Sequence, residues 1–169
     1  MLYKKLLIFL LFSASAPVSR LKNVNSKLAS DSKDSTVLRI KQSPEFKVTG
    51  DGSAENWNRT NWVDIPQRRF WDKALEQATK IKILYSAKGI YFLFHCTDKK
   101  LTSSVNADFM DLWKEDVVEV FLWPDERTST YFEYEISPLN FELPILISNE
   151  NGDLVRWEPF HYDEDRRTI

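Results

Sequence analysis

Lys80-Ile81-Lys82-Ile83-Leu84-Tyr85 alternates polar and apolar side chains, and a period of two restricts the segment to a half-buried strand. Ser86-Ala87-Lys88-Gly89 reads as a turn, and Ile90-Tyr91-Phe92-Leu93-Phe94-His95-Cys96 is apolar at nearly every position. Such a run predicts a strand covered on both faces, paired with the first as a hairpin. Val117 to Trp123 has the same two-sided character and stops at Pro124-Asp125-Glu126, because proline cannot donate to a ladder. Tyr131 to Ile136 is a further strand. Glu142 to Ile147 is interrupted by Pro144, which predicts a sheet edge or a bulge. Asn149 to Asp153 is a turn before a short strand, Leu154 to Trp157. Helix is scarce: Phe70 to Ala78 and Ala107 to Trp113 each have room for a turn or two. Short strands separated by turn signals predict an all-β fold, a two-sheet antiparallel β-sandwich of jelly-roll type.

The N-terminus has a different character. Lys4 and Lys5 precede the apolar run Leu6 to Phe12, which is too short to span a bilayer as a helix. Ala14-Ser15-Ala16 fits a signal-peptidase site, so residues 1–16 are expected to be an export signal. Residues 17–36 are mostly polar and charged and are expected to form a flexible linker. The folded domain is then 37–169. Secretion or periplasmic export follows, with no membrane span once the signal is removed. The lone Cys96 has no internal disulfide partner and reads as a small buried hydrophobe. The chain has 23 basic and 25 acidic residues, and Lys4 and Lys5 are the only charges in the first sixteen. The remainder therefore holds 21 against 25, which leaves no basic stripe for nucleic acid.

Candidate chemistry centres on Trp113 to Trp123. Along the strand, Val118, Val120 and Leu122 share one face, and Val117, Glu119, Phe121 and Trp123 the other. An ionised Glu119 among apolar neighbours costs several kcal/mol unless a cation, backbone N–H groups or a ligand meets it. Tyr131, Glu133 and Glu135 again share one face, opposite Phe132, Tyr134 and Ile136. Carboxylates mixed with rings suit sugars, whose C–H faces stack on aromatics and whose hydroxyls donate to carboxylates. The plainer alternative is that Glu133 and Glu135 point to solvent. Trp113, flanked by Asp111 and Asp116 in a polar loop, is a candidate ligand platform.

Four motifs then occur in order. They are Gly50-Asp51-Gly52-Ser53-Ala54-Glu55-Asn56-Trp57, the hairpin from Lys82 to Phe94, Trp113 through Asp116, Val118 and Glu119 to Phe121, and Tyr131 to Asn140. Together they cover most of residues 45–157, and the chain resembles the family 9 carbohydrate-binding modules, especially their family-9-like relatives in secreted bacterial proteins. The resemblance implies a sandwich that binds saccharides without catalysis, such as plant-polysaccharide sugars, xylan among them, or chain ends. It implies a role in polysaccharide breakdown beside a glycoside hydrolase partner. It places Trp113 as the first of two sandwiching aromatics and Glu119 as a hydrogen-bonding partner of sugar hydroxyls, with Asp116 beside them as a third ligand-binding candidate. Calcium accompanies some family members and is a possible cofactor here, with no ligand residues carried over from the resemblance. Against the family pattern the chain stops early, at Arg166-Arg167-Thr168-Ile169, which predicts a sandwich lacking its last strands and second aromatic.

Three other readings compete. An enzyme reading would use Asp116 and Glu119 as a glycosidase pair, general acid and nucleophile or base. A haem-binding relative would draw axial ligands from His95, His161, Met110 or Cys96. A sandwich serving a structural or protein-binding role would need no sugar.

Overall fold

The computed structural model describes residues 38–65, 78–125, 127–151 and 153–163. The expected signal and linker, all but Ala78 of the helical turn at 70–78, and the charged end at 166–169 lie outside these described residues.

Two sheets make up the fold, and no α-helix occurs among the described residues. The first contains β1 (Lys41–Gln42), β2 (Val63–Asp64), β3 (Thr79–Tyr85) and β4 (Ile90–Cys96). The second contains β5 (Val118–Leu122), β6 (Thr130–Ile136), β7 (Glu142–Glu150) and β8 (Asp153–Pro159) in sequential order. The architecture is an all-β sandwich, as the strand pattern predicts.

The β3–β4 hairpin forms in the expected register, Tyr85 opposite Ile90 and Thr79 opposite Cys96. Ile81, Ile83 and Leu84 are fully buried, while the lysines between them are half-covered. Lys82 Nζ donates to the carbonyl of Trp57 at 2.8 Å, which carries the 43–60 segment across β3. Trp57, the last residue of the glycine-bearing motif, is buried against Phe46, whose ring also stacks on Tyr91. Gly52 is required in that motif: its φ is +73°, and a Cβ there would lie 2.9 Å from Leu93 Cδ2.

β4 departs from expectation. It is half-buried rather than covered on both faces, and His95 and Cys96 are exposed at its end. Its only ladder partner among the described residues is β3, and it borders an open cleft between the sheets. That cleft has a volume of about 1320 Å³ and is lined by Phe92 and Phe94 on one side and Val118, Val120, Leu122, Phe132 and Tyr134 on the other.

Pro144 corrects a second expectation. β7 is not an edge, because β6 and β8 pair on its two sides, and its register shift against β8 falls at Ser148/Asn149 rather than at the proline. The proline is tolerated because β7–β8 pairing begins one residue later, with Ile145 opposite Pro159. The Pro144 carbonyl accepts the N–H of Phe160 at 2.8 Å, so its missing donor faces the place where β8 has ended.

Candidate functional site

The densest core lies on the face of the second sheet turned away from the cleft. Leu112, Val117, Leu143, Ile145 and Ile147 pack together, with Val105, Phe109, Tyr131 and Phe141 around them. The 101–117 segment therefore folds back over β6 and β7. Its hydrogen bonds explain how it is held. Thr102 N–H donates to the Asp116 carboxylate at 2.6 Å, and Asp116 N–H donates to the Thr102 carbonyl at 3.0 Å. The Glu115 carboxylate accepts from the N–H groups of Ser104 and Val105 and from the Ser104 hydroxyl. These donors, the Ser104 hydroxyl foremost, hold the Glu115 carboxyl below its ordinary range. Glu142 N–H donates to Asp108 at 2.8 Å, closing the far end. On the opposite face of β7, the Glu142 carboxylate accepts from the phenols of Tyr134 and Tyr162.

Beneath the folded segment lie three carboxylates. The ladder puts Glu119 directly opposite Glu135, and Glu133 opposite Phe121, so all three point to one face. Their relative exposures are 2% for Glu119, 7% for Glu133 and 1% for Glu135. Oxygen atoms from the three lie within 4.8 Å of one another. The reading in which Glu133 and Glu135 point to solvent is thus overturned, because the 101–117 segment covers the face that a bare hairpin would expose.

Burial decides their protonation. It pushes the Glu133 carboxyl up to about 7, against a small opposing effect of a hydrogen bond with Glu135. Burial also pushes Glu135 up to about 8, the negative charge of Glu133 adding to the rise, while the backbone N–H of Trp113 opposes it. Glu135 Oε2 is buried and has no hydrogen-bond partner among the described residues.

Trp113 belongs to a short 3-10 turn, Leu112–Lys114, that anchors through buried Leu112. Its backbone contacts Glu135, yet the residue is 42% exposed. Lys114 Nζ lies 5.2 Å from the centre of its ring and pairs with Asp111 at 2.6 Å. Trp113 is therefore an exposed residue whose backbone lies at the rim of a buried acidic cluster. Of the residues singled out from sequence, the fold brings Trp113 and Glu119 to the same face. Asp116 sits at its margin, engaged with Thr102 and bordering the inter-sheet cleft. Met110, His95 and Cys96 are exposed, and His161 packs on Phe109 with ring centres 4.4 Å apart. None of these four belongs to the carboxylate cluster.

Sequence reasoning missed Trp157. Its register, opposite Ile147 and in line with Tyr131, puts it on the carboxylate face, and it is 46% exposed. The alternation of Leu154 to Trp157 held the signal, but a side chain's face is fixed only once the neighbouring strand's register is known.

The described residues thus form an all-β sandwich with an exposed tryptophan whose backbone adjoins buried acidic side chains. In the sequence comparison, residues 48–152 match the carbohydrate family 9 binding domain-like family, and the chain belongs to it. The chain is also similar to an extracellular protein of Arthroderma benhamiae, 28% identical over 90 residues. That match covers 50% of this chain and 39% of the fungal protein. No solved structure matches.

Proposed function

We propose that the domain binds saccharides without catalysing their cleavage, using the face that carries Trp113. The observation that carries this reading is the exposed Trp113 ring on a chain of the carbohydrate family 9 binding domain-like family. A ring held on a rigid turn offers a stacking surface to a pyranose C–H face at little conformational cost. Glu119 lies too deep to meet a stacked sugar broadly, so it acts at the floor of the site, and Asp116 acts at its margin by fixing the covering segment. Sugars from plant polysaccharides, xylan included, are the intended ligands, in polysaccharide breakdown beside a glycoside hydrolase. Export to the cell exterior or periplasm fits the N-terminal pattern of residues 1–16 and the extracellular relative.

A protein-binding role is the second reading, favoured by the open apolar cleft between the sheets. A titration distinguishes the two. Tryptophan fluorescence of the full chain is followed as glucose, cellobiose and xylobiose are added, beside the Trp113→Ala variant. A saturable shift lost in a folded variant supports sugar binding. No shift with any sugar refutes it, and an unfolded variant shows that Trp113 is part of the core.

A further inference from the structure

Three carboxylates packed out of water present a problem that the sugar reading does not resolve. Glu119 and Glu135 are direct cross-strand neighbours, and like charges placed so are destabilising. Replacing Glu119 or Glu135 by a hydrophobic residue would remove that cross-strand conflict, yet the sheet brings both together with Glu133, with oxygens within 4.8 Å. At that spacing one small ion contacts all three groups. Glu135 supplies a second and separate observation. It is 1% exposed, and its Oε2 has no hydrogen-bond partner among the described residues, on a side chain that contributes an oxygen to the cluster. A buried orphan acceptor costs about 1–3 kcal/mol, more for a charged group, and such atoms call for an explanation.

We propose that Glu119, Glu133 and Glu135 form a binding site for one divalent cation of the oxygen-seeking kind, such as calcium. The donor set is all carboxylate, which selects hard cations over zinc or copper. The site is built on paired strands, so the ligand positions are fixed by the ladder rather than by a loop. The Trp113 backbone N–H, bonded to Glu135, orients that carboxylate from outside the cluster. Positive charge at the centre relieves the repulsion across β5 and β6 and gives Glu135 Oε2 a partner. The bound ion also ties β5 and β6 together beneath the turn that carries Trp113. The assignment rests on the carboxylate geometry and on the buried Glu135 oxygen, and does not depend on the domain binding a sugar.

The test uses the full chain freed of metal with a chelator and then exchanged into chelator-free buffer. Calcium binding is followed by calorimetry, and terbium binding by luminescence excited through the protein's tryptophans. The expected result is uptake of one ion per chain, weakened roughly tenfold or more in Glu135→Gln and in Glu133→Gln. Circular dichroism checks that each variant is folded, and if one is not, the other decides. Absence of calcium and terbium uptake by the wild-type chain overturns the proposal, leaving a cluster neutralised by protons only. Uptake undiminished in a folded variant also overturns it, because the ion then sits elsewhere. A separate sugar titration of the metal-free protein tests saccharide binding without reference to the ion.

Discussion

Glutamine in place of Glu133 should stabilise the metal-free protein, and by an amount that depends on pH. Burial raises the Glu133 carboxyl from an ordinary 4.5 to about 7. The folded state thus holds this proton more tightly than the unfolded chain does. The resulting stability is whole below the unfolded value and is lost as pH rises through the folded one. A shift of that size corresponds to roughly 3 kcal/mol between the two limits. Near pH 5, by the same relation, less than about 1 kcal/mol has been lost. Near pH 8 the loss is essentially complete. Glutamine cannot ionise and loses nothing. The stability of Glu133→Gln relative to wild type should therefore rise by about 2 kcal/mol from pH 5 to pH 8. Glu135 acts in the same direction, because removing the Glu133 charge eases its own ionisation. Asp111 also faces Glu135, and its ion pair with Lys114 moderates that charge. Urea unfolding followed by tryptophan fluorescence, in chelator at several pH values, measures the difference. Two stability profiles that run parallel across this range would show that Glu133 is not held in a desolvated site.

Other perturbations test the surroundings of that site. Leu143→Ala removes a buried side chain from the core beneath the covering segment and should cost about 2–5 kcal/mol in urea unfolding. Gly52→Ala places a Cβ against Leu93 at a positive φ, and a loss of about 1–2 kcal/mol is expected in the same assay. Glu115→Ala removes the acceptor for the Ser104 and Val105 N–H groups, so amide exchange at both should accelerate while β6 and β7 stay protected. Because the Glu115 carboxyl titrates below its usual range, the same acceleration should appear in wild type only as pH falls through that lowered value.

The β3–β4 hairpin was legible because its information is local: a period of two and a turn determine it. The edge reading of Pro144 failed because an edge is a property of the sheet; the alternative, a bulge, has its counterpart in β7 only four residues on, at Ser148/Asn149. The acidic cluster was half-legible. Alternation placed Glu119, Glu133 and Glu135 on common faces, and the motif order singled out Glu119 and Trp113. Their burial depends on the 101–117 segment returning over the sheet. That return is fixed by contacts of Leu112 and Phe109 with residues some thirty positions away, which no local pattern encodes. Cys96 was misread for a similar reason, since an apolar strand is buried only if something lies against it.

β8 has a ladder partner on one side only among the described residues, and every one of its residues is exposed. Its unpaired side offers hydrogen-bond donors and acceptors to any extended chain, and Leu154, Val155 and Trp157 supply apolar contact beside them. The Arg156–Glu158 ion pair at 2.6 Å is a light guard, since exposed pairs of this kind contribute about 1 kcal/mol at most. A second copy adding a strand at this edge would bind the folded chain and not the unfolded one. With such pairing the midpoint of thermal unfolding would climb with protein concentration, and the molecule's robustness would become a property of the solution as well as of the chain.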